Sequence, residues 1–489
     1  MKPRRLVLGV DSSTQSTKVE ARDIETGEVV ARGSAPHPPT QPPVSEQDPE
    51  AWWSALTAAT TALGDHRRDV VAMSVAGQQH GLVTVDEDGR SIRPAKLWND
   101  TTSSSQAARL VGVIGPEAWA LAAGSVPVAS FTITKLAWLA DNEPEVIGRI
   151  ARIMLPHDWL TWRLTGEHVT DRGDASGTGW FDPSENRYRA DLLSLAAPDL
   201  AIERLPRVLP PFESAGIVRS SIAAELGLPT NVTVGAGTGD NMAAALGLGL
   251  RPTDVAISLG TSGTAFGVSA KSTTDSSGAV AGFASACGNF LPLVCTLNAT
   301  KVTDTFARWL GHDVASFATL ALDAVDDPGS VVVVPYLDGE RTPNLPDATG
   351  TLAGLTNSST AAQIALAAHD GVLCGLLEGV DALARAGATI DGRVFLVGGG
   401  SRSEAYRRRL ADLSGRVVAV PDTDETVATG AAVQAAVVVG GDSLARIAER
   451  WGLGSGSVVE PLVDASSRRT RWAMARDGAP MNGTSRLAG

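Results

Sequence analysis

Cysteine is scarce: three residues in 489, Cys287, Cys295 and Cys374. The count is odd and no CxxC pair occurs. A disulfide scaffold and a zinc ribbon are both excluded, and a reducing cytoplasm is the expected compartment. Long apolar runs are missing too. The uncharged stretch 276–300 is interrupted throughout by Ser, Gly, Asn, Thr and Pro, so it is no membrane span. The amino terminus has basic residues, but its apolar run before Asp11 is too short for a signal peptide. Positive charge is also short, with 41 Lys and Arg against 54 Asp and Glu and a net charge of -13. That balance argues against nucleic acid or an anionic membrane as partner, while a local pocket can still attract a small anion. What remains is a globular composition, 43% hydrophobic and 19% charged, in a chain too long for one core. Two domains are the default.

The stretch that organises the chain is TVGAGTGDNMAAALG, residues 233–247. A β-branched run leads into a glycine-rich turn, then Asp240, then a segment that reads as helix. A carboxylate is thus placed where a strand passes into a helix N-terminus. The helix dipole and free N–H groups are expected to keep Asp240 ionised. The glycines let a substrate approach backbone and carboxylate together. The plainer alternative is that Asp240 is only an N-cap.

Three further turns follow strands. Residues 6–10 read as a buried strand running into DSSTQSTK, a hydroxyl-rich turn starting at Asp11. Residues 255–259 read as a strand running into GTSGT, beginning at Gly260. Residues 394–397 read as a strand into GGGSRS, with a helix directly after it at 404–413. Strand, glycines and helix form the geometry of phosphate binding, although the spacing is neither a dinucleotide fingerprint nor a P-loop. VLGV-DSSTQST-KVEA and AISL-GTSGT-AFGV are both strand, small-residue turn, strand. This weak repeat suggests two duplicated α/β halves with facing phosphate loops across a cleft. Elsewhere, EQDPEAWW starts a helix with Asp48 as N-cap, and AGQQHG and LWND end strands with His80 and Trp98 among their polar groups. The 171–182 loop reads as a pocket wall. Residues 425–439 read as a small-residue helix able to pack tightly, and 479–489 as a disordered end. Jointly the four turns suggest a site for polyphosphate with two inward carboxylates, which suits phosphoryl transfer with magnesium.

The sequence resembles the FGGY carbohydrate kinases, of the actin/hexokinase/Hsp70 ATPase superfamily, from residue 6 to about 440. SFTITKLAWLADN matches the first signature of that family. GTLAGLTNSSTAAQIALAAHDG is similar to the second, with His369 where an apolar residue is usual. DSSTQSTK and GTSGT resemble its phosphate loops, GGGSRS its adenosine loop, and GTGDNMAAALG the segment of its catalytic aspartate. EQDPEAWW, AGQQHG, LWND and YLDGERTPN look most like the members that phosphorylate D-xylulose.

The resemblance implies an α/β fold of two duplicated ribonuclease-H-like, actin-like ATPase domains around a central cleft. The implied division is 1–247 for a sugar-binding domain, 248–445 for a nucleotide-binding domain and 446–489 for a terminal helix and tail. It implies ATP-dependent phosphorylation of D-xylulose to its 5-phosphate, with Asp240 as general base and Asp11 also needed for activity. Asp11 and Asp240 would hold Mg2+. Gln79, His80, Trp98, Asp100, Asp240 and Asn241 would meet the sugar. Thr14, Gly260 and Thr261 would hold phosphates, and Gly399, Gly400 and Ser401 would lie along the adenosine. A homodimer is the family expectation. Gln79 stands where Met is common, and Thr102 and Thr349 where Arg is common. These departures leave open another ketose or polyol, such as ribulose or a pentitol. A sugar and nucleotide sensor without transfer activity is the alternative from outside the enzymes.

Overall fold

The repeat in sequence is a repeat in topology. The chain is described over residues 4–423 and 425–478 in a computed structural model, and the expected disordered end at 479–489 lies outside the described residues. Contacts group the described chain into two units. The first holds 4–251, 268–292 and 425–453; the second holds 252–267, 293–423 and 454–478. This grouping does not follow the contiguous 1–247, 248–445, 446–489 division. The reason is physical: the Thr426–Gly440 helix lies on the sheet of the first unit. A Cβ on Gly9 would sit 1.9 Å from the Ala428 carbonyl oxygen, so that close approach requires glycine.

In the first unit, β1 (Leu6–Ser12), β2 (Ser16–Asp23) and β3 (Val29–Pro36) form an antiparallel meander. β4 (Val70–Gly77) pairs in parallel with β1, and β5 (Ser214–Ile217) pairs with β6 (Thr233–Gly235). The spatial order is β5-β6-β4-β1-β2-β3, and the short β7 (Thr238–Gly239) also pairs with β4. In the second unit, β8 (Val255–Leu259) and β9 (Gly263–Gly267) form the hairpin around GTSGT. β10 (Phe290–Thr296) pairs with β9 through residues 293–296. β11 (Val394–Val397) runs parallel to β8, and β12 (Val418–Pro421) and β13 (Gly456–Val459) follow, in the order β13-β12-β11-β8-β9-β10. Strand for strand, the two orders match: three antiparallel strands, two parallel additions, and an antiparallel edge.

The first core shows how a chain with few aromatics fills its interior. Helix Pro49–Thr61 starts as expected: Asp48 accepts from the Glu50 N–H and Pro49 opens the first turn. It buries Trp52 edge-on to Trp159 of helix Pro156–Thr165, with ring centroids 6.3 Å apart. Trp52 Nε1 donates to Gln47 Oε1 at 2.7 Å, so the indole is buried without an orphaned polar atom. The Pro156–Thr165 helix stops at Gly166, whose φ of 89° is left-handed. Among the described residues no helix is long and apolar enough to cross a membrane, and no two cysteines form a disulfide.

Candidate active site

In the first unit β4 is the shared neighbour that gathers the candidate residues. Asp11 of β1 pairs with Ala76, and Gly239 of β7 pairs with Gly77. Asp11 and Asp240 therefore flank the turn after Gly77, two strand spacings or about 10 Å apart along the sheet. These are the carboxyl ends of parallel strands, where open α/β sheets collect ligands.

Gly239, not Asp240, caps the helix Asp240–Gly247, which corrects the capping alternative. Asp240 is the first helical residue. Its Oδ1 accepts from the Asn241 backbone N–H at 2.8 Å and from Asn241 Nδ2 at 2.9 Å. Asn241 Nδ2 also donates to Gln79 Oε1 at 2.8 Å. A Cβ at Gly239 would come within 2.7 Å of Gln79 Cγ, so glycine there admits the glutamine. Asp240, Asn241 and Gln79 thus form one hydrogen-bonded row.

The electrostatics differ from the expectation of a fully ionised base. A helix N-terminus favours the carboxylate. Burial, and then the charge of Asp11, outweigh it and push Asp240 up to about 7. Burial likewise pushes Asp11 up to about 6, opposed by the Ser13 hydroxyl that donates to it. Asp240 is balanced between its two forms at neutral pH, suited to exchanging a proton with a hydroxyl.

A buried polar layer lies under this row. His157 Nε2 is 3.2 Å from Asp158, 3.3 Å from Asp174 and 3.6 Å from Asp171. Burial drives His157 down to about 3 and raises Asp158 and Asp174 well above their usual range. His157, Asp158 and Asp174 are therefore neutral and form no ion pairs, while burial raises Asp171 only to about 6. Asp171 accepts from Thr238 Oγ1 at 2.8 Å, and a Cβ on Gly237 would fall 2.5 Å from His157 Nδ1. The loop that carries Asp240 thus rests on His157 and Asp171. Gln79 Nε2 and the Asp174 carboxyl oxygens are buried there without a hydrogen-bond partner among the described residues.

The other expected sugar contacts divide. His80 has φ of 66°, a strained value for a non-glycine residue. Its ring donates from Nδ1 to the Gly177 carbonyl at 2.8 Å and stacks on Phe131 at 4.9 Å. Trp98 is 40% exposed and donates to Thr14 Oγ1 at 2.8 Å; Thr14 in turn donates to Gln78 at 3.3 Å. Thr14 is thereby tied to the tryptophan. Asp100 is fully buried, and its oxygens take the Ser45 N–H at 2.9 Å and the Thr102 N–H at 3.0 Å. Lys96 Nζ stands 3.4 Å from Asp100, 2.9 Å from Glu46 and 2.9 Å from Thr102 Oγ1. The structure uses Asp100 to lock the 97–102 turn under Trp98. Lys96 provides the cation that Thr102 lacks.

In the second unit, Gly260, Thr261, Gly399 and Gly400 line one groove of about 700 Å³. Thr300, at the start of helix Thr300–Leu310, ties into its floor through the Gly260 carbonyl, donating from Oγ1 at 2.9 Å. Val314, Ala315, Ala318 and Leu322 of helix Val314–Leu322 add an apolar wall, with Tyr406 and His369 nearby. A glycine-rich polar end and a flat apolar wall suit a nucleotide. Ser401 does not line the groove; its Oγ donates to the Gly398 carbonyl at 2.8 Å and closes the loop. Asp174, Lys96 and Tyr406 were not singled out by sequence reasoning. The signal for Asp174 was its place in the 171–182 loop; Tyr406 had none beyond following GGGSRS.

A half-buried carboxylate over polar side chains, together with a nucleotide-type groove on a second unit of the same strand order, defines a sugar kinase of the actin-like ATPase fold. Residues 6–247 match the N-terminal domain and residues 255–439 the C-terminal domain of the FGGY family of carbohydrate kinases, and the chain belongs to that family, whose phosphoryl donor is ATP. A xylulose kinase from Streptomyces coelicolor is 47% identical over 480 residues, covering 97% of each chain. A xylulose kinase from Escherichia coli is 37% identical over 423 residues, 84% of this chain and 85% of its own. The crystal structure of xylulose kinase from Bifidobacterium adolescentis matches with a TM-score of 0.87 at 41% identity, covering 97% and 99% of the two chains.

Proposed function

We propose that this kinase transfers the γ-phosphoryl group of ATP to the terminal hydroxyl of D-xylulose. The similarity to relatives named xylulose kinase supports the acceptor. The observation that carries the chemistry is the Asp240 carboxylate: Oδ1 is occupied twice by Asn241, and Oδ2 is left to meet a hydroxyl. Asp240 accepts the proton of the attacking hydroxyl, and a base balanced near neutrality suits that task. Asn241 and Gln79 fix the direction from which it accepts. His80, Trp98 and Gln79 select the sugar; Asp100 acts by holding the Trp98 turn.

Magnesium fits the pair Asp11 and Asp240. Both are carboxylates raised by burial, and Asp240 further by its neighbour, which is the chemistry of a donor set short of positive charge. Bound there, the ion would neutralise phosphate charge. The phosphates lie at Gly260 and Thr261, and the adenosine lies along Gly399 and Gly400. We further place the enzyme in the cytoplasm, on its cysteines without disulfides, and as a homodimer, which sedimentation tests.

The deciding assay follows ADP release with ATP, magnesium and a panel of D-xylulose, D-ribulose and pentitols. Xylulose is expected to give the highest kcat/KM. Turnover equal to the no-sugar rate with xylulose, and higher with another acceptor, rejects the assignment.

A further inference from the structure

The second unit contains a buried histidine that neither the core nor the proposed transfer uses. His369 lies in helix Ala361–Arg385, at a position where the family signature usually has an apolar residue, and is 2% exposed. Its ring stands between Phe317, at 5.5 Å, and Tyr406, at 4.8 Å. Nδ1 lies 2.8 Å from the Ala365 carbonyl oxygen. A carbonyl only accepts, so Nδ1 carries the hydrogen. Burial disfavours a second proton, and the neutral ring then keeps a lone pair on Nε2. Nε2 makes no hydrogen bond to any described residue.

An acceptor with no donor from the protein takes one from whatever fills the space beside it, and His369 stands on the wall of the 700 Å³ groove. The neighbouring wall, Val314, Ala315 and Ala318, is flat and apolar and offers a face on which a purine can lie. A purine held there needs one donor at its edge to satisfy Nε2. Adenine has one, its exocyclic amino group; guanine presents a carbonyl oxygen at that position, and two acceptors would face each other.

We propose that His369 accepts a hydrogen bond from the adenine amino group and makes the groove select adenine over guanine nucleotides. The inference rests on the reading of the groove as the nucleotide site.

The test compares kcat/KM for ATP, purine riboside 5′-triphosphate (adenosine without the amino group) and GTP, with xylulose as acceptor. It uses the wild type, His369→Phe and His369→Gln. The wild type is expected to prefer ATP over the purine riboside nucleotide by roughly three- to tenfold, and over GTP by more. In His369→Phe the first preference collapses to about one, and His369→Gln, which can still accept, restores part of it. Equal use of the two nucleotides by the wild type overturns the proposal without any variant. An unchanged preference in a folded His369→Phe also overturns it, while leaving the groove reading intact. Failure of the groove reading has a different mark: Thr261→Val leaves the KM for every nucleotide unaltered.

Discussion

Replacing Asp240 by asparagine keeps the shape of the site and removes its charge. The asparagine carbonyl oxygen can still accept from the Asn241 N–H and Nδ2 groups that hold Oδ1 at 2.8 and 2.9 Å. The amide nitrogen then occupies the place of Oδ2 and offers hydrogens where the acceptor hydroxyl needs a base. Loss of a general base is worth about 10²–10⁴ in kcat. The same substitution should stabilise the protein, with a definite pH dependence. The carboxyl has a reference value of 3.8 and stands at about 7 in the fold. Across that window the folded protein binds more protons than the unfolded chain, so wild-type stability falls as pH rises from about 4 to about 7 and stays lower above. At about 1.4 kcal/mol per tenfold, the full effect is roughly 4 kcal/mol; contact of the half-buried group with water and counter-ions reduces it to about 1–2 kcal/mol. Asparagine escapes this cost. Without ligands, the variant should melt about 1–3 °C higher at pH 8 and no higher at pH 4. Calorimetry reads the melting, and ADP release reads kcat. A kcat within tenfold of wild type, or a lower Tm at pH 8, refutes the reasoning.

Gly430→Ala places a Cβ 1.8 Å from the Ala243 carbonyl oxygen. It should destabilise by about 1–3 kcal/mol or more and lower kcat by displacing the Asp240 helix; denaturant midpoints and turnover check both. Asp370→Ala strips the partner from Arg409, bonded at 2.8 and 3.2 Å, and from Arg468, both buried. The loss should be about 3–5 kcal/mol in urea unfolding, because Arg468 is left with backbone carbonyls alone and Arg409 with Asp412 alone, at 3.2 Å. Thr261→Val should raise the KM for ATP several-fold, whereas Ser401→Ala should change it less than about twofold, since Ser401 only closes its own loop; steady-state kinetics separates the two. Removing magnesium with EDTA should stop transfer while leaving nucleotide binding measurable by calorimetry.

The strands and turns were legible because each is announced locally. VAISL before GTSGT and VFLV before GGGSRS are β-branched runs ending in small residues, and both strands form where expected. The helix of residues 426–440 was legible as a helix but not as part of the first unit. Nothing in ETVATGAAVQ says which sheet it meets; that depends on glycine at positions 9 and 430, hundreds of residues apart. The charge state of Asp240 was illegible for a similar reason. A helix terminus is visible in sequence, but the burial and the distant Asp11 charge that override it are not. Asp100 shows the converse limit. Its motif marks it as a sugar contact, yet Ser45, Lys96 and Thr102 occupy its oxygens, and only packing reveals that it holds a turn.

The matched strand orders explain why one scaffold serves two ligands of different charge. Aligned as VLGV-D and AISL-G, the first hairpin turn begins with Asp11 and the second with Gly260. An acid at that place repels phosphate and draws a cation, and burial raises Asp11 to about 6. A glycine at the same place adds no charge and no side chain. There the Thr300 N–H and Oγ–H both bond the Gly260 carbonyl, so the turn is braced against the N-terminus of a helix, the positive end of its dipole. On the proposed function, this one difference at equivalent positions divides the labour: the first unit would take the neutral polyol beside a metal ion, and the second the anion directly.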